Sequence, residues 1–312
     1  MTQSPSLRVH DVDFDRLMGV LDVNVRSLIR IPMGAGTRVL LPASDTAAVC
    51  FCLRGTIELL GGEHSSTALQ PGTMVIVPCG KGVIVDSSVP GTVARVLDLS
   101  ALRSGTLGQS HTSVGQPTDG AGAEVICGYF KASFASTIDV FAGVPSPIIE
   151  VFDGVSRVAD YLVTAVGELA GQDLGVAAMT TALFKQVLIC VFRQCLKSPG
   201  QMSEHVLLFR DPQIARAFGE MAARPGARHT VTSLAALASL SRSAFMARFS
   251  QTVGRTPMAT LRDLRMRRAE TLLAAETSVL EQIAHAVGYG SRSGFVRAFR
   301  QTYGRDPWPG RG

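Results

Sequence analysis

Lysine is missing from the last third of this chain. Residues 200 to 312 hold 16 arginines, no lysine and 8 acidic side chains, a net charge of +8, whereas residues 1 to 199 hold 14 Lys+Arg against 17 Asp+Glu, a net charge of −3. A cationic region built only from planar guanidinium forks suits phosphates and guanine edges and implies a polyanionic partner, although charge alone fits RNA or a membrane surface equally well. The first twenty residues, MTQSPSLRVHDVDFDRLMGV, are acidic where a secretory signal is basic, and no uninterrupted apolar run approaches the length of a membrane span. From these absences no membrane-spanning segment is expected, no membrane partner is expected, and the cytoplasm is the expected compartment. Cysteine is scarce, with six residues (Cys50, Cys52, Cys79, Cys127, Cys190, Cys195), and in that compartment the thiols are expected to be reduced. Tryptophan occurs once, at Trp308, read as packing that closes the C-terminal end. No low-complexity block is present, and 46% hydrophobic and 18% charged residues describe a folded globular chain. Its 312 residues exceed one ordinary core, so more than one domain is expected.

Between residues 25 and 99 short β-branched runs alternate with turn residues: VRSLIRI, TRVLL, TAAVCFCL, TIELL, TMVIV, GVIVD and TVARVLDL. This spacing predicts an antiparallel barrel or sandwich. A polar stretch, SGTLGQSHTSVGQPTDGAGA, reads as a long loop, and EVICGYFKAS as a further strand. From Ile148 the period turns helical. Ile148, Val151, Phe152, Val155, Val158, Leu162, Val166 and Leu169 form one stripe, and Val176, Met179, Leu183, Val187, Val191 and Cys195 a second, joined across Gly171 to Gly175. Such a pair either covers the barrel or forms the interface of a homodimer. The stretch KSPGQ, Lys197 to Gln201, marks a boundary.

The strongest internal signal is a repeat at an offset of 50 residues, with SRSAFMARFSQTVGRTP (Ser241 to Pro257) lying over SRSGFVRAFRQTYGRDP (Ser291 to Pro307). Two copies are too few for a solenoid, and each copy ends a short helix pair. Thr232 or Ser233 is placed to cap a short helix, and Ser241 to open a longer one. In the second unit Ser278 and Glu281 suggest a capping box, Ile283, Ala284 and Val287 an inner face, Gly288 the turn, and Ser291 the start of the next helix. This is the grammar of two helix-turn-helix units. Phe245, Phe249, Phe295 and Phe299 must face inward. The opposite faces then carry Ser243, Ala247 and Ser250 in the first longer helix and Ser293, Arg297 and Arg300 in the second, with Met246 and Val296 at the side. Pro257 starts a connecting helix to about Ala275, which would hold the two reading helices about one DNA turn, roughly 34 Å, apart.

On these residues the chain resembles the AraC family of bacterial activators. The pattern runs through LAALASLSRSAFMARFSQTVGRTPMATLRDLRMRRAETLL and LEQIAHAVGYGSRSGFVRAFRQTYGRDP, with Arg265-Met266-x-x-Ala269 in the linker helix and Gly288-Tyr289 before the second reading helix, and covers about residues 211 to 308. The resemblance implies base contacts from Ser243, Met246, Ala247, Arg292, Ser293, Val296 and Arg297, flanking phosphate contacts from Ser241, Arg242, Arg248, Ser291 and Arg300, and RNA polymerase as a partner. Family members often carry polar or basic residues where this chain has Met246 and Ala247. The first unit is therefore expected to read shape and thymine methyls, and Arg297 to supply direct readout.

The N-terminal region resembles the cupin-like sensing domain of one AraC subgroup, on AVCFCLRGTIELLGG, LQPGTMVIVPCG and AEVICGYFKAS. Metal-binding cupins present His and Glu on adjacent strands. Here the first motif strand has Cys50 and Cys52, the second ends in Pro78-Cys79, and His64 sits at a turn beside Glu63. No metal, no cofactor and no catalytic residue is expected. Cys50 and Cys52 face one side of a strand and Cys79 is placed to join them, either as core or as a thiol sensor for which Lys81 favours the thiolate. The competing signal is a small uncharged or aromatic compound at an apolar barrel mouth.

The expectation is a multidomain α+β chain: residues 1–147 a cupin-like antiparallel β-barrel that senses, 148–199 a helix pair and linker, and 205–312 an all-α double helix-turn-helix domain on promoter DNA. The function is that of a dimeric regulator, an activator and not an enzyme, answering a small-molecule or thiol-redox signal. Two rivals remain: an architectural DNA-binding protein, and a cupin enzyme fused to a DNA-binding domain.

Overall fold

The β-branched runs become strands of two facing sheets. The computed structural model describes residues 11–61, 66–87, 95–104, 122–135, 138–153, 157–171, 173–197, 207–274 and 279–307. The chain divides into two compact units, one of Asp22–Ser133 with Asp139–Val206 and a second of Met1–Leu21, Phe134–Ile138 and Leu207–Gly312.

In the first unit one sheet runs β1(Leu21–Met33), β9(Ala123–Phe134), β3(Ala47–Arg54), β6(Thr73–Val77), β11(Ile148–Val151), with β10(Ile138–Asp139) on β9. The other runs β5(Ser66–Leu69), β4(Ile57–Leu60), β7(Val83–Asp86), β2(Thr37–Leu41), β8(Arg95–Asp98). Alternate residues from both sheets meet in one core that includes Ile29, Ile31, Val39, Leu41, Cys50, Cys52, Ile57, Val75, Val85, Val125, Cys127 and Tyr129. This is the sheet-rich barrel or sandwich the spacing implied, and it fits the cupin-like domain the resemblance implied, but β2 and β8 depart from antiparallel pairing and run parallel, Thr37 opposite Arg95 and Leu40 opposite Asp98. The polar loop at residues 105–121, the His64–Glu63 turn, Val155 and the boundary residues Ser198 to Gln201 lie outside the described residues.

Two helical readings need correction. The stripe placed from Ile148 begins instead as β11, antiparallel to β6 with Ile148 opposite Ile76 and Val151 opposite Thr73. A segment as short as Ile148-Ile149-Glu150-Val151 fits either period, and here the edge of β6 supplies the backbone partners. The helix α2 starts only at Val158 and ends at Gly171, and α3 spans Val176–Lys197. On α3 the buried face is Thr180, Phe184, Val187, Leu188, Val191 and Cys195, while Met179 is exposed. Phe184 decides this rotation, because its ring packs on Phe130 with centroids 4.7 Å apart, and Phe130 in turn meets Phe141 edge-on at 5.6 Å. By length and composition Val176–Leu196 passes as apolar enough to cross a membrane, with mean hydropathy 1.5, although Lys185 and Arg193 interrupt it, so no uninterrupted apolar run of that length is present in it. One third of that window is buried inside the protein.

The second unit holds α1(Asp11–Gly19), α4(Leu207–Arg210), α5(Pro212–Ala223), α6(Val231–Leu237), α7(Arg242–Val253), α8(Pro257–Ala274), α9(Leu280–Ala286) and α10(Arg292–Tyr303). Asp211 caps α5, accepting from Ile214 N at 3.2 Å. No local pattern foreshadowed the packing of α1 on α5. Asp13 accepts from Arg216 Nε at 3.1 Å, Arg16 lies 3.6 Å from Glu220, and Phe134 meets Phe218 at 6.5 Å. Phe14, Leu17 and Met18 are buried.

Sheet closeness and charge give two expectations. Gly128 on β9 has no room for a side chain: a Cβ there would sit 2.0 Å from Ser27 O. Gly128→Ala should therefore lower the thermal midpoint by several degrees, a loss of more than about 2 kcal/mol, read by scanning calorimetry. Glu124, which is buried, accepts from Arg30 Nε at 2.6 Å and Arg54 Nε at 2.9 Å. The Arg30 hydrogen bonds hold its carboxyl below the usual range. Its contribution is present above the unfolded-state value of about 4.3 and is lost as pH falls toward the lower folded value. Glu124→Gln should flatten that acid limb in pH-dependent melting curves.

Candidate nucleic-acid interface

The two repeats fold as twins. Ser241 and Ser291 are N-caps, each accepting from the backbone N–H three residues on, Ala244 and Gly294, at 3.2 Å. Each also lies 3.3 Å from a second hydroxyl, Ser243 and Ser293. Gly254 and Gly304 close α7 and α10 in the left-handed region at φ 76° and 67°. The phenylalanines are fully buried, with centroids 5.5 Å apart for Phe245 and Phe249 and 5.8 Å for Phe295 and Phe299. From Ser241 to Phe249 the sequence of exposed, half-buried and buried positions is the same as from Ser291 to Phe299. An amphipathic helix pinned by two phenylalanines one turn apart exposes the face opposite.

The caps of the shorter helices differ from expectation. Helix α6 is capped by Thr230, not Thr232, with Ser233 as the reciprocal partner: Ser233 N donates to Thr230 Oγ1 at 3.0 Å and Thr230 N to Ser233 Oγ at 2.9 Å. A serine at N3 serves in place of the usual Glu or Gln. Helix α9 starts from Val279 with no side-chain cap, so no capping box with Glu281 forms there, and Ser278 lies outside the described residues. The turns also differ. In the second unit Gly288 takes φ 84°, whereas the corresponding left-handed residue of the first unit is Ser239 at φ 55°.

Ser243 and Ala247 on α7, and Arg292, Ser293 and Arg297 on α10, are exposed; Met246 and Val296 are half-buried beside them. Ser291, Arg292, Ser293, Val296, Arg297 and Arg300 line one concavity of about 720 Å³. Arg242, Arg292 and Arg297 make no ion pair among the described residues. Two of the expected phosphate ligands are engaged within the protein. Arg248 donates to both carboxylate oxygens of Asp211, at 3.0 and 2.7 Å, and to Gln213 at 2.8 Å. This half-buried fork fastens α7 to the start of α5. Arg300 pairs with Asp306, its Nη2 3.1 Å from Oδ2, on the exposed surface.

The linker helix α8 buries Met266 and Ala269, and its Arg265 does more than the spacing suggested. Its Nε donates to Pro225 O at 2.9 Å, its Nη2 to Ala227 O at 3.0 Å, and its guanidinium stacks 5.8 Å from the Tyr289 ring. One side chain thus joins the segment before α6, the linker helix and the turn before α10. Trp308 lies outside the described residues.

In the sheet unit the cysteines group differently from the expectation. Cys50 and Cys52 are buried on β3, and the residue opposite Cys50 is Cys127 on β9. Cys79 does not join them. It lies four residues past Val75, the β6 residue opposite Cys50, and its Sγ points to Asp139 Oδ2 at 3.9 Å. Burial pushes the Cys52 thiol up to about 11, and burial with the Asp139 charge pushes Cys79 to about 11. Lys81 is exposed and does not offset this. Cys127, which the strand pattern could not register against β3, is raised by its neighbour Cys50 and by burial. Among the described residues no group of three or more His, Cys, Asp or Glu is placed to hold a metal ion.

Residues 234–308 match a helix-turn-helix domain family, and residues 14–197, more than half of the chain, match the cupin family. The chain belongs to the AraC family of transcription regulators, with an N-terminal cupin domain. It is 32% identical over 165 residues to a Streptomyces antibioticus protein described as an AraC-like transcription regulator, covering 52% of this chain and 54% of that one. It is 31% identical over 133 residues to the RCS-specific HTH-type transcriptional activator RclR of Escherichia coli K12, covering 43% and 47%. Against the HTH-type transcriptional regulator AlkR of Acinetobacter baylyi the match is 23% over 277 residues, 85% of this chain and 87% of that protein. The chain thus spans about half the length of the first two relatives.

The two left-handed turn residues separate sterics from strain. At Gly288 a Cβ would stand 2.7 Å from Gly226 O and 2.8 Å from Arg265 Nη2. Gly288→Ala should therefore cost more than about 2 kcal/mol in denaturant unfolding and weaken DNA binding with it. Ser239→Gly, which relieves a positive φ, should be neutral or stabilising by up to about 1 kcal/mol.

Proposed function

We propose that this AraC-family chain is a one-component, homodimeric transcription activator of the cytoplasm. In it the sheet unit within residues 1–147 senses a small molecule, the helices α2 and α3 within 148–199 dimerise, and 205–312, with α1 packed on it, grips a promoter and meets RNA polymerase. The observation that carries the reading is the pair of equivalent helices α7 and α10, each fixed by two buried phenylalanines and each turning an uncharged or arginine-bearing face outward. Ser243, Met246 and Ala247 read shape and thymine methyls; Arg297, with Arg292, Ser293 and Val296 around it, reads a base edge, a guanine where it is bidentate. Ser241, Ser291 and Arg242 stand at the phosphate flanks. Arg248 is committed to Asp211 and Gln213 and mainly holds α7, whereas Arg300, paired with Asp306 on the exposed surface through Nε and Nη2, keeps its Nη1 hydrogens for a phosphate. Of the two signals, a small molecule fits better than a thiol-redox one: burial keeps Cys52 and Cys79 protonated at neutral pH. Signal binding acts by shifting the population of DNA-competent protein.

Selection of bound sequences from a random DNA pool tests the reading. An enriched motif spanning two successive major grooves is expected. Arg297→Ala should then lose about 1 to 3 kcal/mol, roughly 5- to 150-fold, at one base pair of it. Sequence-blind binding, or an equal loss on every sequence, would overturn it.

A further inference from the structure

One end of the sheet unit carries a cleft of about 710 Å³ whose lining is polar, not the apolar mouth that composition suggested. It is formed by Arg26 of β1, Ala43, Ser44 and Asp45 between β2 and β3, Gly80 after β6, and Ser100 and Arg103 of the 3₁₀ turn Ser100–Ser104. The barrel interior itself is filled by the side chains of the core, so a ligand finds room at this end.

The floor is built to present donors. Three successive carbonyls of the β2–β3 loop are each occupied by a different element: Pro42 O accepts from the Tyr129 hydroxyl at 3.2 Å, Ala43 O from Arg103 Nη1 at 2.9 Å, and Ser44 O from Gly80 N at 2.7 Å. Ser100 is likewise spent, its hydroxyl donating to Asp98 Oδ1 at 2.6 Å. With these carbonyls and the Ser100 hydroxyl hydrogen already engaged, the charged groups left to meet a ligand are the two guanidinium groups and the Asp45 carboxylate. Arg103 is held in place through Ala43 O and through Ser100 O at 3.2 Å and still has unused N–H groups. Arg26 is exposed and has no hydrogen-bond partner among the described residues. Asp45, hydrogen-bonded to Ser44 Oγ at 3.2 Å, is the single acidic group in the lining and keeps an acceptor for a ligand hydroxyl; Asp98, which takes the Ser100 hydroxyl, lies behind it and offsets part of the Arg103 charge, leaving Arg26 as the uncompensated cation.

We infer that this cleft binds the effector, and that the effector is a small hydroxylated molecule carrying an oxyanion, seated between Arg26 and Arg103 with a hydroxyl toward Asp45. Two guanidinium groups of which one is pre-positioned favour a carboxylate or phosphate by charge-assisted, fork-like hydrogen bonds. This deepens the regulatory reading and rests on it only for the consequence, not for the binding.

Calorimetric titration of the full chain with D-gluconate, D-glucose 6-phosphate and D-glucose tests it. The two anions separate carboxylate from phosphate as the oxyanion source, and the neutral sugar is the control. Binding of at least one anion at millimolar concentration or tighter is expected, weakened at least tenfold by Arg26→Ala and by raised salt, with glucose silent. Arg26→Ala should keep the wild-type melting temperature, since Arg26 holds nothing; Arg103→Ala would also loosen the loop. No binding by either anion, binding equal in Arg26→Ala, or equal binding of glucose overturns the assignment. DNA affinity, measured separately with and without the bound anion, tells failure of the regulatory reading from failure of the site: loss of anion binding leaves DNA recognition standing, and sequence-blind DNA binding leaves the cleft standing.

Discussion

Arg265 is the constraint on which the DNA-reading unit depends. A helix-turn-helix reads only if its second helix is held at a fixed angle, and two of them read together only if their separation is fixed as well. Arg265 stands on the helix between them and spends its donors on Pro225 O and Ala227 O while its plane lies against Tyr289. Because a guanidinium cannot lose its proton in this range, the joint is insensitive to pH. Because its two hydrogen bonds go to main-chain carbonyls, the side chains at 225 and 227 are not what holds the joint, whereas the other turn is fixed in sequence by the Tyr289 ring and by Gly288.

The sheet unit solves a different problem. On the first motif strand the cysteines Cys50 and Cys52 are sealed in the core between the sheets, while Cys79, at the end of the second, is half-buried outside it. Chemistry has moved from the interior to the rim, where loops pinned by Tyr129, Gly80 and Arg103 are rigid enough to act as a receptor. A filled barrel gives the stability, and an end with spare donors supplies selectivity.

Most of the DNA-reading unit was legible in the sequence because its determinants are local. Ser241 and Ser291 as caps, the four inward phenylalanines, Gly288 at the turn and the span of α8 all follow from spacing within a few residues. What failed was settled by partners far along the chain. Ile148 to Val151 became a strand because β6 offered an edge, and α3 turned because Phe184 met Phe130. Cys50 faces Cys127 rather than Cys79 through a register that no local pattern encodes. Arg248 looked like a phosphate ligand until Asp211, 37 positions earlier, claimed it. The cleft of Arg26 and Arg103 drew residues from separate segments of the chain, so composition alone suggested the wrong polarity.

Helix α1 gives the chain an unusual inheritance pattern. The residues that finish the DNA-reading unit, Phe14, Leu17 and Met18 with Asp13 reaching Arg216, are encoded at the opposite end of the gene from the helices they support. A recombination event at the stretch before Leu207 would look neutral on a linear map, yet would strip α5 of its cover and expose Phe218 and Met221 to water. Sensor and reader therefore cannot be exchanged freely at that point, and chimaeras with relatives should function only when the first two dozen codons travel with the last hundred.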